Sequence, residues 1–209
     1  MFRSGTLNIL KLLKMFACSI AIVLKLAVIV CAEDGIQLNL DRTSPALHMP
    51  AGKRVVLATP AFEDYTEMFF DLCDAMQLAV KDECRIYPMN AEIGLNAIAI
   101  IQDDNRIIVF DRRLSPMVGY AGAMMIIGHE LGHHYCHHLG RRPSPGLELE
   151  ADRFAGASMR KAGQSLDDAL AAIPILDERP SKSHPGRAER VAAITAGWKH
   201  PETGKSCRR

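Results

Sequence analysis

The stretch of this chain most able to do chemistry is IIGHELGHHYCHHLG, residues 126–140, which holds five histidines within ten positions. Two of them, His129 and His133, stand on either side of Glu130 in the pattern HExxH. Residues four apart lie on one face of an α-helix, so both imidazoles can reach one metal ion. Glu130 can then act as general base on water at that ion. The pattern predicts a hydrolytic zinc site with one ion per subunit.

The third ligand has to come from outside this segment. Position 139 is a leucine, which excludes the HExxH class that takes a third histidine six residues after His133. Glu148 and Asp152 share one face of a predicted helix, although acidic residues also suit a helix start by themselves. We expect Glu148 to complete a His₂Glu site that keeps one position open. Asp152 would accept a hydrogen bond from a ligand histidine and fix its tautomer.

The remaining three histidines are expected to lie outside the ligand set. His134 is rotated about 100° from His133 around the helix, and His137 lies roughly 6 Å further along its axis. His138 is predicted to pack or hydrogen-bond at the helix end, where a partly charged imidazole suits the helix dipole.

Hydrophobic spacing and turn signals predict the helices and strands that position these residues. Apolar residues at helical spacing predict a core-facing helix over 61–81, and two β-rich runs around Asp103-Asp104-Asn105 predict a hairpin over 96–110. The predicted core residues of the first helix are Tyr65, Met68, Phe69, Leu72, Met76 and Ala79. The other predictions are strands over 54–58 and 85–89, a connector over 112–117, helices over 119–139, 148–161 and 185–198, a short helix capped by Ser165 and Asp168, and loops over 140–146 and 180–184.

Composition and charge indicate an ordinary globular protein. With 209 residues, 48% of them apolar and 23% charged, the chain is predicted to form one domain with a substantial core. The formal net charge of +1 gives no indication of a nucleic-acid partner. We expect residues 33–60 to form a lead-in, 61–200 the domain with the metal site, and 201–209 a polar tail, loosely held unless Cys207 ties it down.

The N-terminus has the pattern of a secretory signal over residues 1–32. Basic residues precede the apolar run 15–32, which ends in the small-residue sequence Val30-Cys31-Ala32. The alternative is an uncleaved membrane anchor over 15–32, the one membrane contact we expect. The segment holds four of the 25 Lys and Arg and none of the 24 Asp and Glu, so cleavage would leave a net charge near −3. We therefore expect an exported, periplasmic protein.

Four cysteines remain after such cleavage, namely Cys73, Cys84, Cys136 and Cys207. An even number in an exported chain allows two disulfides in three possible pairings. On one unbroken helix, Cys73 and Cys84 would be roughly 16 Å apart, too far to bridge. Either that helix ends before Cys84 or the pairing is a different one.

Three motifs together resemble the zinc metallopeptidases of the HtpX heat-shock and CAAX prenyl endopeptidase family. They are HELGH at 129–133, ELEAD at 148–152 and SHPGRAER at 183–190, and the resemblance covers roughly residues 92–198. It points to the small exported bacterial members and implies an α+β, zincin-like fold with a small sheet, an active-site helix and supporting C-terminal helices. It also implies the roles given above for the five residues His129, Glu130, His133, Glu148 and Asp152.

The same resemblance implies a substrate-binding edge. The segment LNAIA resembles the family's strand that borders the active-site cleft. Such an edge can pair with the backbone of an extended substrate. The residues concerned are Asn96, Ala97, Ile98 and Ala99.

His184 and Arg190 match the family's HPxxxxR element, which lies close to the metal. His184 would donate to the developing oxyanion or bind the zinc as a fourth, inhibitory ligand, unless His184-Pro185 simply begins a helix. Arg190 would anchor an acidic residue near the site.

Two departures from the larger family members narrow the expected function. Only 14 residues separate His133 from Glu148, so the substrate-gating subdomain inserted in the larger members is expected to be missing. No set of transmembrane helices is predicted, which argues against membrane-protein or prenylated substrates. We expect a zinc endopeptidase acting on unfolded or extended polypeptides of the cell envelope. The main alternative is a zinc-containing chaperone-like or binding module with a latent, His184-blocked site. A metal-dependent hydrolase of a non-peptide bond is a weaker one.

Overall fold

The computed structural model describes residues 47–51, 54–61 and 65–208. Within these ranges the chain is α+β, as predicted, with one curled five-stranded sheet and five α-helices. The strands are β1 Leu47–Ala51, β2 Arg54–Pro60, β3 Tyr87–Asn90, β4 Ala97–Gln102 and β5 Asn105–Phe110. The helices are α1 Thr66–Ala75, α2 Ser115–Tyr135, α3 Pro145–Lys161, α4 Leu166–Ala169 and α5 Arg187–Lys199. The predicted signal or anchor, residues 1–32, lies outside the described ranges.

The sheet is buried on both faces around β5. Its strand order is β1-β2-β3-β5-β4, with β3 and β5 parallel and the other neighbours antiparallel. Ile108 and Phe110 belong to the main core, which they share with the helices. Ile107 and Val109, on the opposite face, pack with Met49 of β1 in a second, smaller core. Burial on both faces explains why the last four residues of β5, from Ile107 to Phe110, are all apolar.

The predicted hairpin is formed by β4 and β5. Asp103 and Asp104 have left-handed φ values of 49° and 62°, as a two-residue type I′ turn requires. Among the described residues, β4 is one of the two edge strands of the sheet, and β1 is the other. The N–H of Asp111 donates to the carbonyl of Asn96 at 3.0 Å, which extends the β4–β5 ladder by one hydrogen-bonded pair. Because such pairs alternate along an antiparallel ladder, the N–H and C=O of Ala97 and Ala99 point away from β5.

α1 is shorter than the predicted helix over 61–81. The chain leaves the helix at Gln77, whose φ of 50° is left-handed, and the N–H of Leu78 donates to the carbonyl of Cys73 at 3.0 Å. This Schellman motif reverses the chain and lets Cys84 return to Cys73, with which it forms a disulfide. Five predicted core residues, Tyr65, Met68, Phe69, Leu72 and Met76, are buried, whereas the prediction for Ala79 was wrong because it lies beyond the helix and is exposed.

Other boundaries shift by a few residues. The strand predicted over 54–58 extends to Pro60, and the one predicted over 85–89 spans Tyr87–Asn90. α3 begins at Pro145, within the predicted loop, because proline suits the first turn of a helix. α5 begins two residues after the predicted start, where Glu189 accepts a hydrogen bond from the N–H of Gly186 at 3.0 Å. The predicted capping box of Ser165 and Asp168 is confirmed.

α2, the helix with the histidines, is bounded by two left-handed residues. Gly119 has φ 66° and interrupts the helical geometry, so the regular part of α2 begins after it. At the other end, His137 has φ 54° and the N–H of His138 donates to the carbonyl of His133 at 3.0 Å. The helix therefore ends before Leu139, the predicted end, and the Schellman motif folds His138 back onto the last turn.

α3 and α5 touch backbone to backbone at two glycines. A Cβ on Gly156 of α3 would lie 2.0 Å from the carbonyl oxygen of Ile194. A Cβ on Gly197 of α5 would lie 2.0 Å from the carbonyl oxygen of Arg153. Only glycine fits at either crossing, and the close approach places the two helices within side-chain contact of each other.

The chain after α5 is attached to the helix that carries the histidines. Cys207 forms a disulfide with Cys136, the residue that follows α2, across 71 positions of sequence. Of the three pairings that the sequence allowed, the structure shows Cys73–Cys84 and Cys136–Cys207. Both disulfides are consistent with an exported protein. No helix in the described ranges has both the length and the apolar character needed to cross a membrane.

Candidate metal centre

Two histidines of α2 converge on one point. His129 and His133 lie one turn apart on the same helix face, and their Nε2 atoms are 3.0 Å from each other. His129 is buried and His133 half-buried, with their rings edge to face. The HExxH spacing therefore does place both imidazole nitrogens where one ion could contact them.

Glu148 of α3 brings a carboxylate to the same point. Its Oε2 lies 3.3 Å from Nε2 of His129, and its Oε1 lies 3.6 Å from Nε2 of His133. α3 can approach this closely because α2 presents glycines to it. A Cβ on Gly132 would lie 3.1 Å from the carbonyl oxygen of Ala151, and one on Gly128 would lie 2.9 Å from the hydroxyl of Ser158.

The three side chains fit a single metal ion. A tetrahedral ion bound at 2.0–2.1 Å separates its ligand atoms by about 3.3 Å. The separations here are 3.0, 3.3 and 3.6 Å, between two imidazole nitrogens and the carboxylate oxygens. His129, His133 and Glu148 form a group that could hold a metal ion. This donor set suits several divalent ions, and its geometry does not by itself single one out.

Asp152 and Arg190 fix the orientation of His129 through hydrogen bonds on the side of its ring that faces away from the candidate metal position. Its Nδ1 lies 2.9 Å from Oδ1 of Asp152, which is fully buried. Arg190 of α5 donates to both oxygens of Asp152, from Nε at 2.8 Å and from Nη2 at 2.7 Å. The structure thus places Asp152 against a candidate ligand histidine and Arg190 against an acidic residue, which are the neighbours expected from the sequence. A neutral His129 with its proton on Nδ1 keeps Nε2 free for a metal.

Electrostatics at this point favour positive charge. Burial lowers the pKa of His129, but Asp152 and Glu148 outweigh burial and raise that pKa to about 10. Burial raises the pKa of Glu148, but hydrogen bonds from His129 and His133 hold it well below its usual range. Arg190 and His129 likewise lower the pKa of Asp152 against the effect of burial. The acidic neighbours thus favour a cation between them, and because metal ligands have to be deprotonated, protons and metal ions compete for this point.

His133 contacts His138, a residue that was predicted to lie at the helix end and not at the metal site. Its Nδ1 lies 3.0 Å from Nδ1 of His138, and Nε2 of His138 lies 3.2 Å from Oε2 of Glu150 on α3. His138 is buried and hydrogen-bonded, as predicted for this residue. The expected partial charge is not supported, because burial lowers the pKa of His138.

The other histidines lie elsewhere, as expected. His134 faces the sheet, where its Nε2 lies 2.9 Å from the carbonyl oxygen of Ile107, and burial lowers its pKa to about 4. It is therefore a neutral donor that attaches α2 to β5. His137 is exposed at the turn that ends α2.

A cleft of about 590 Å³ opens beside the three candidate ligands. Glu130 lines it and is buried next to His129 on α2. The predicted edge segment, residues 96–99, also lines it, and Ala97 and Ala99 with their outward backbone groups belong to this segment. Its apolar wall is formed by Leu114, Met125, Ile126, Ala172, Ile175 and Leu176.

His184 lies on the rim of this cleft rather than in the ligand group. It is exposed, and its Nδ1 lies 2.8 Å from the hydroxyl of Ser183. Among the described residues, the group that could hold an ion at this point comprises His129, His133 and Glu148, without His184. Nor does His184-Pro185 form the first turn of α5, which starts at Arg187.

A second cluster, formed by Cys136, His138 and Glu150, also has metal-ligating residue types. Its sulfur is already bonded to Cys207, so this cluster is not a second metal site while the disulfide is intact.

Comparison with protein-family models, with curated proteins and with solved structures found no match. The resemblance of the three motifs to the HtpX and CAAX endopeptidases therefore stays a hypothesis, as does a zincin-like fold. What the structure establishes is the convergence of two histidines and a glutamate beside a cleft with an open strand edge.

Proposed function

We propose that this protein is a zinc endopeptidase that hydrolyses unfolded or extended polypeptides. The observation that carries the proposal is the convergence of His129, His133 and Glu148 beside Glu130, in a cleft bordered by the edge strand β4. Two histidines and one glutamate with an open position are the ligand set of many catalytic zinc sites. The export suggested by the N-terminus and the disulfides favours substrates in the cell envelope.

When bound, zinc supplies Lewis acidity, which polarises a carbonyl and makes water a nucleophile at neutral pH. Glu130 accepts the proton of the attacking water and delivers it to the leaving amine. Asp152 keeps the proton of His129 on Nδ1, and Arg190 holds Asp152 in place. His184, on the rim, is the candidate donor to the developing oxyanion.

Substrate binding is proposed to use the backbone more than the side chains. The outward N–H and C=O groups of Ala97 and Ala99 can pair with an extended peptide laid along the cleft. Because backbone pairing is common to all sequences, selectivity would come from the apolar wall of the cleft. Most backbone groups of a folded protein are already paired with each other, so an unfolded or extended segment is the preferred substrate.

The test is cleavage of an unfolded protein such as casein by the zinc-loaded chain. Glu130→Gln should bind zinc as the wild type does but cleave at least about 100-fold more slowly, because the base is lost. Glu202→Gln, a change to an exposed carboxylate after α5, is the matched control and should cleave normally. Removal of zinc with a chelator should abolish cleavage, and adding zinc back should restore it.

Normal cleavage by Glu130→Gln, or no cleavage by the zinc-loaded wild type, would contradict the proposal. In the second case the His184→Ala variant decides the next step. Cleavage by that variant would show a latent enzyme, whereas binding of casein without cleavage would favour the chaperone-like alternative. We prefer the enzyme because His184 lies outside the ligand group.

A further inference from the structure

A chain of polar contacts runs from His133 to the C-terminal tail. Nδ1 of His133 lies 3.0 Å from Nδ1 of His138, and Nε2 of His138 lies 3.2 Å from Oε2 of Glu150. Arg208 donates to Glu150 twice, from Nε to Oε1 at 2.6 Å and from its backbone N–H to Oε2 at 3.3 Å. Four residues from α2, the turn after it, α3 and the tail therefore form one connected chain.

The contacts have one consistent proton arrangement if His133 is a metal ligand. Its Nε2 must then be free of a proton, so the proton of the neutral ring lies on Nδ1 and is donated to Nδ1 of His138. His138 consequently carries its own proton on Nε2 and donates it to the carboxylate of Glu150. The carboxylate takes its remaining hydrogen bonds from Arg208. With neutral rings and Nε2 of His133 free for a metal, this is the one placement of protons in which each remaining ring nitrogen of His133 and His138 donates or accepts a hydrogen bond.

The same pattern supports the other histidine ligand. His129 donates to Asp152, and Asp152 is held by Arg190. Each candidate ligand histidine is thus connected, through its Nδ1, to a buried carboxylate, and each of these carboxylates accepts hydrogen bonds from an arginine. The two arrangements differ in one respect: His129 contacts Asp152 directly, whereas His138 lies between His133 and Glu150.

The position of His138 depends on the fold and not on helix periodicity. The left-handed His137 turns the chain so that His138 lies across the last turn of α2, with its ring 5.1 Å from that of His133. Glu150 comes from α3, where it is buried. Arg208 reaches Glu150 because the preceding residue, Cys207, is bonded to Cys136 at the end of α2.

We propose that His138 and Glu150 are positioning residues for the metal ligand His133, and that the Cys136–Cys207 disulfide makes the C-terminal tail part of the metal centre. The inference rests on the ligand set of the proposed function and not on peptidase activity. It adds two predictions to that function. Metal affinity depends on His138, and it depends on the redox state of one disulfide but not of the other.

The first test measures the zinc dissociation constant by competition with a chromogenic chelator at fixed pH. His138→Phe fills the same space but removes both hydrogen bonds, and should weaken zinc binding about 10- to 100-fold. His138→Asn keeps an acceptor for Nδ1 of His133 and should recover part of that loss. A purely structural role would not produce this order, because Asn fills the space less well than Phe.

The second test compares the two disulfides. The double variant Cys136→Ser with Cys207→Ser should weaken zinc binding about tenfold, because Glu150 loses its tethered arginine. Both cysteines are changed, since a free Cys136 beside His138 and Glu150 would create a competing metal site. Cys73→Ser with Cys84→Ser is the matched control and should bind zinc as the wild type does.

Long-range ¹⁵N–¹H spectra of the zinc-loaded wild type should show the proton of His133 on Nδ1.

Wild-type zinc affinity in a folded His138→Phe variant would overturn the inference, as would equal effects of the two disulfide variants. If His138→Phe does not fold, the disulfide comparison decides. A wild type that binds no zinc would overturn both this inference and the proposed function. A wild type that binds zinc without cleaving casein would end the peptidase proposal alone, because the zinc affinities are measured without substrate.

Discussion

The crossing of α3 and α5 gives the sharpest test of how packing supports the candidate metal centre. Gly156→Ala would place a Cβ 2.0 Å from the carbonyl oxygen of Ile194, where real Cβ contacts are at least 3.0 Å. The helices must therefore separate locally by about 1 Å. Backbone atoms form the obstacle, so no side chain can rotate away to relieve it.

The separation reaches the metal centre through Asp152 and Arg190, which lie on these two helices. Their hydrogen bonds of 2.7 and 2.8 Å would lengthen to beyond 3.5 Å if the helices moved apart by about 1 Å along that direction. Overpacking costs about 2 kcal/mol, and weakening the partner of a buried carboxylate adds about 2–3 kcal/mol. The helix propensity of alanine offsets about 1 kcal/mol. We expect a net loss of about 3–4 kcal/mol in the free energy of unfolding, or roughly 10 °C in Tm.

Urea unfolding of the metal-free protein measures the loss, and chelator competition measures the zinc affinity. Gly146→Ala is the matched control, because it changes a glycine of the same helix whose added Cβ would meet Arg208 only at 3.8 Å. It should be neutral or slightly stabilising. Gly197→Ala makes the reciprocal clash with Arg153 and should behave like Gly156→Ala.

The reasoning would be refuted if Gly156→Ala unfolded at the same urea concentration as Gly146→Ala. If the free energy of unfolding fell but the zinc affinity did not, the second step would be refuted. The contact between Asp152 and His129 would then not depend on the crossing of α3 and α5.

Three further predictions concern other parts of the molecule. Hydrogen bonds from Arg113, against the effect of burial, hold the pKa of Asp111 well below its usual range, so its stabilisation is present above about pH 4 and lost on acidification. Asp111→Asn should lower the free energy of unfolding, measured with urea, by about 2–3 kcal/mol at pH 7 and by about 1 kcal/mol less at pH 3. An equal loss at the two pH values would contradict this prediction. Changing Cys73 and Cys84 to serine should lower the free energy of unfolding by about 3 kcal/mol, since that disulfide closes a loop of 11 positions; calorimetry showing no change in Tm would disagree. Ala99→Pro removes one outward N–H of β4 and should raise KM for casein about fivefold at nearly unchanged stability, whereas an unchanged KM would exclude backbone pairing there.

Local patterns in the sequence predicted the parts of the site that depend on helix geometry. His129 and His133 converge because residues four apart share a helix face. Glu148 was predicted to join them because the pattern itself offers only two ligands, and the structure places its carboxylate at the same point. The hairpin β4–β5 and the capping box at Ser165 follow from turn chemistry in the same way. These features require no knowledge of which distant segments pack together.

The parts that could not be predicted depend on contacts between distant segments or on backbone conformations that the residue type does not reveal. Gln77 and His137 adopt left-handed φ without being glycine, so the ends of α1 and α2 carry no sequence signal. β1 contains Pro50, which is tolerated because β1 is an edge strand. The role of His138 depends on Glu150, and the role of Glu150 depends on a disulfide between positions 71 apart. One signal was present, because the ELEAD motif contains Glu150 on the helix that supplies Glu148.

The order of these residues along the chain has a consequence for biosynthesis. A polypeptide is made and exported N-terminus first, so all three candidate ligands are present well before Cys207 and Arg208 emerge. In the proposed arrangement, the newly made chain has a weak metal site until Cys207 and Arg208 have been made and the second disulfide closes. Maturation of the proposed metal site would then be limited by oxidative folding, and a chain without Cys207 and Arg208 would retain metal poorly although all three candidate ligands are intact.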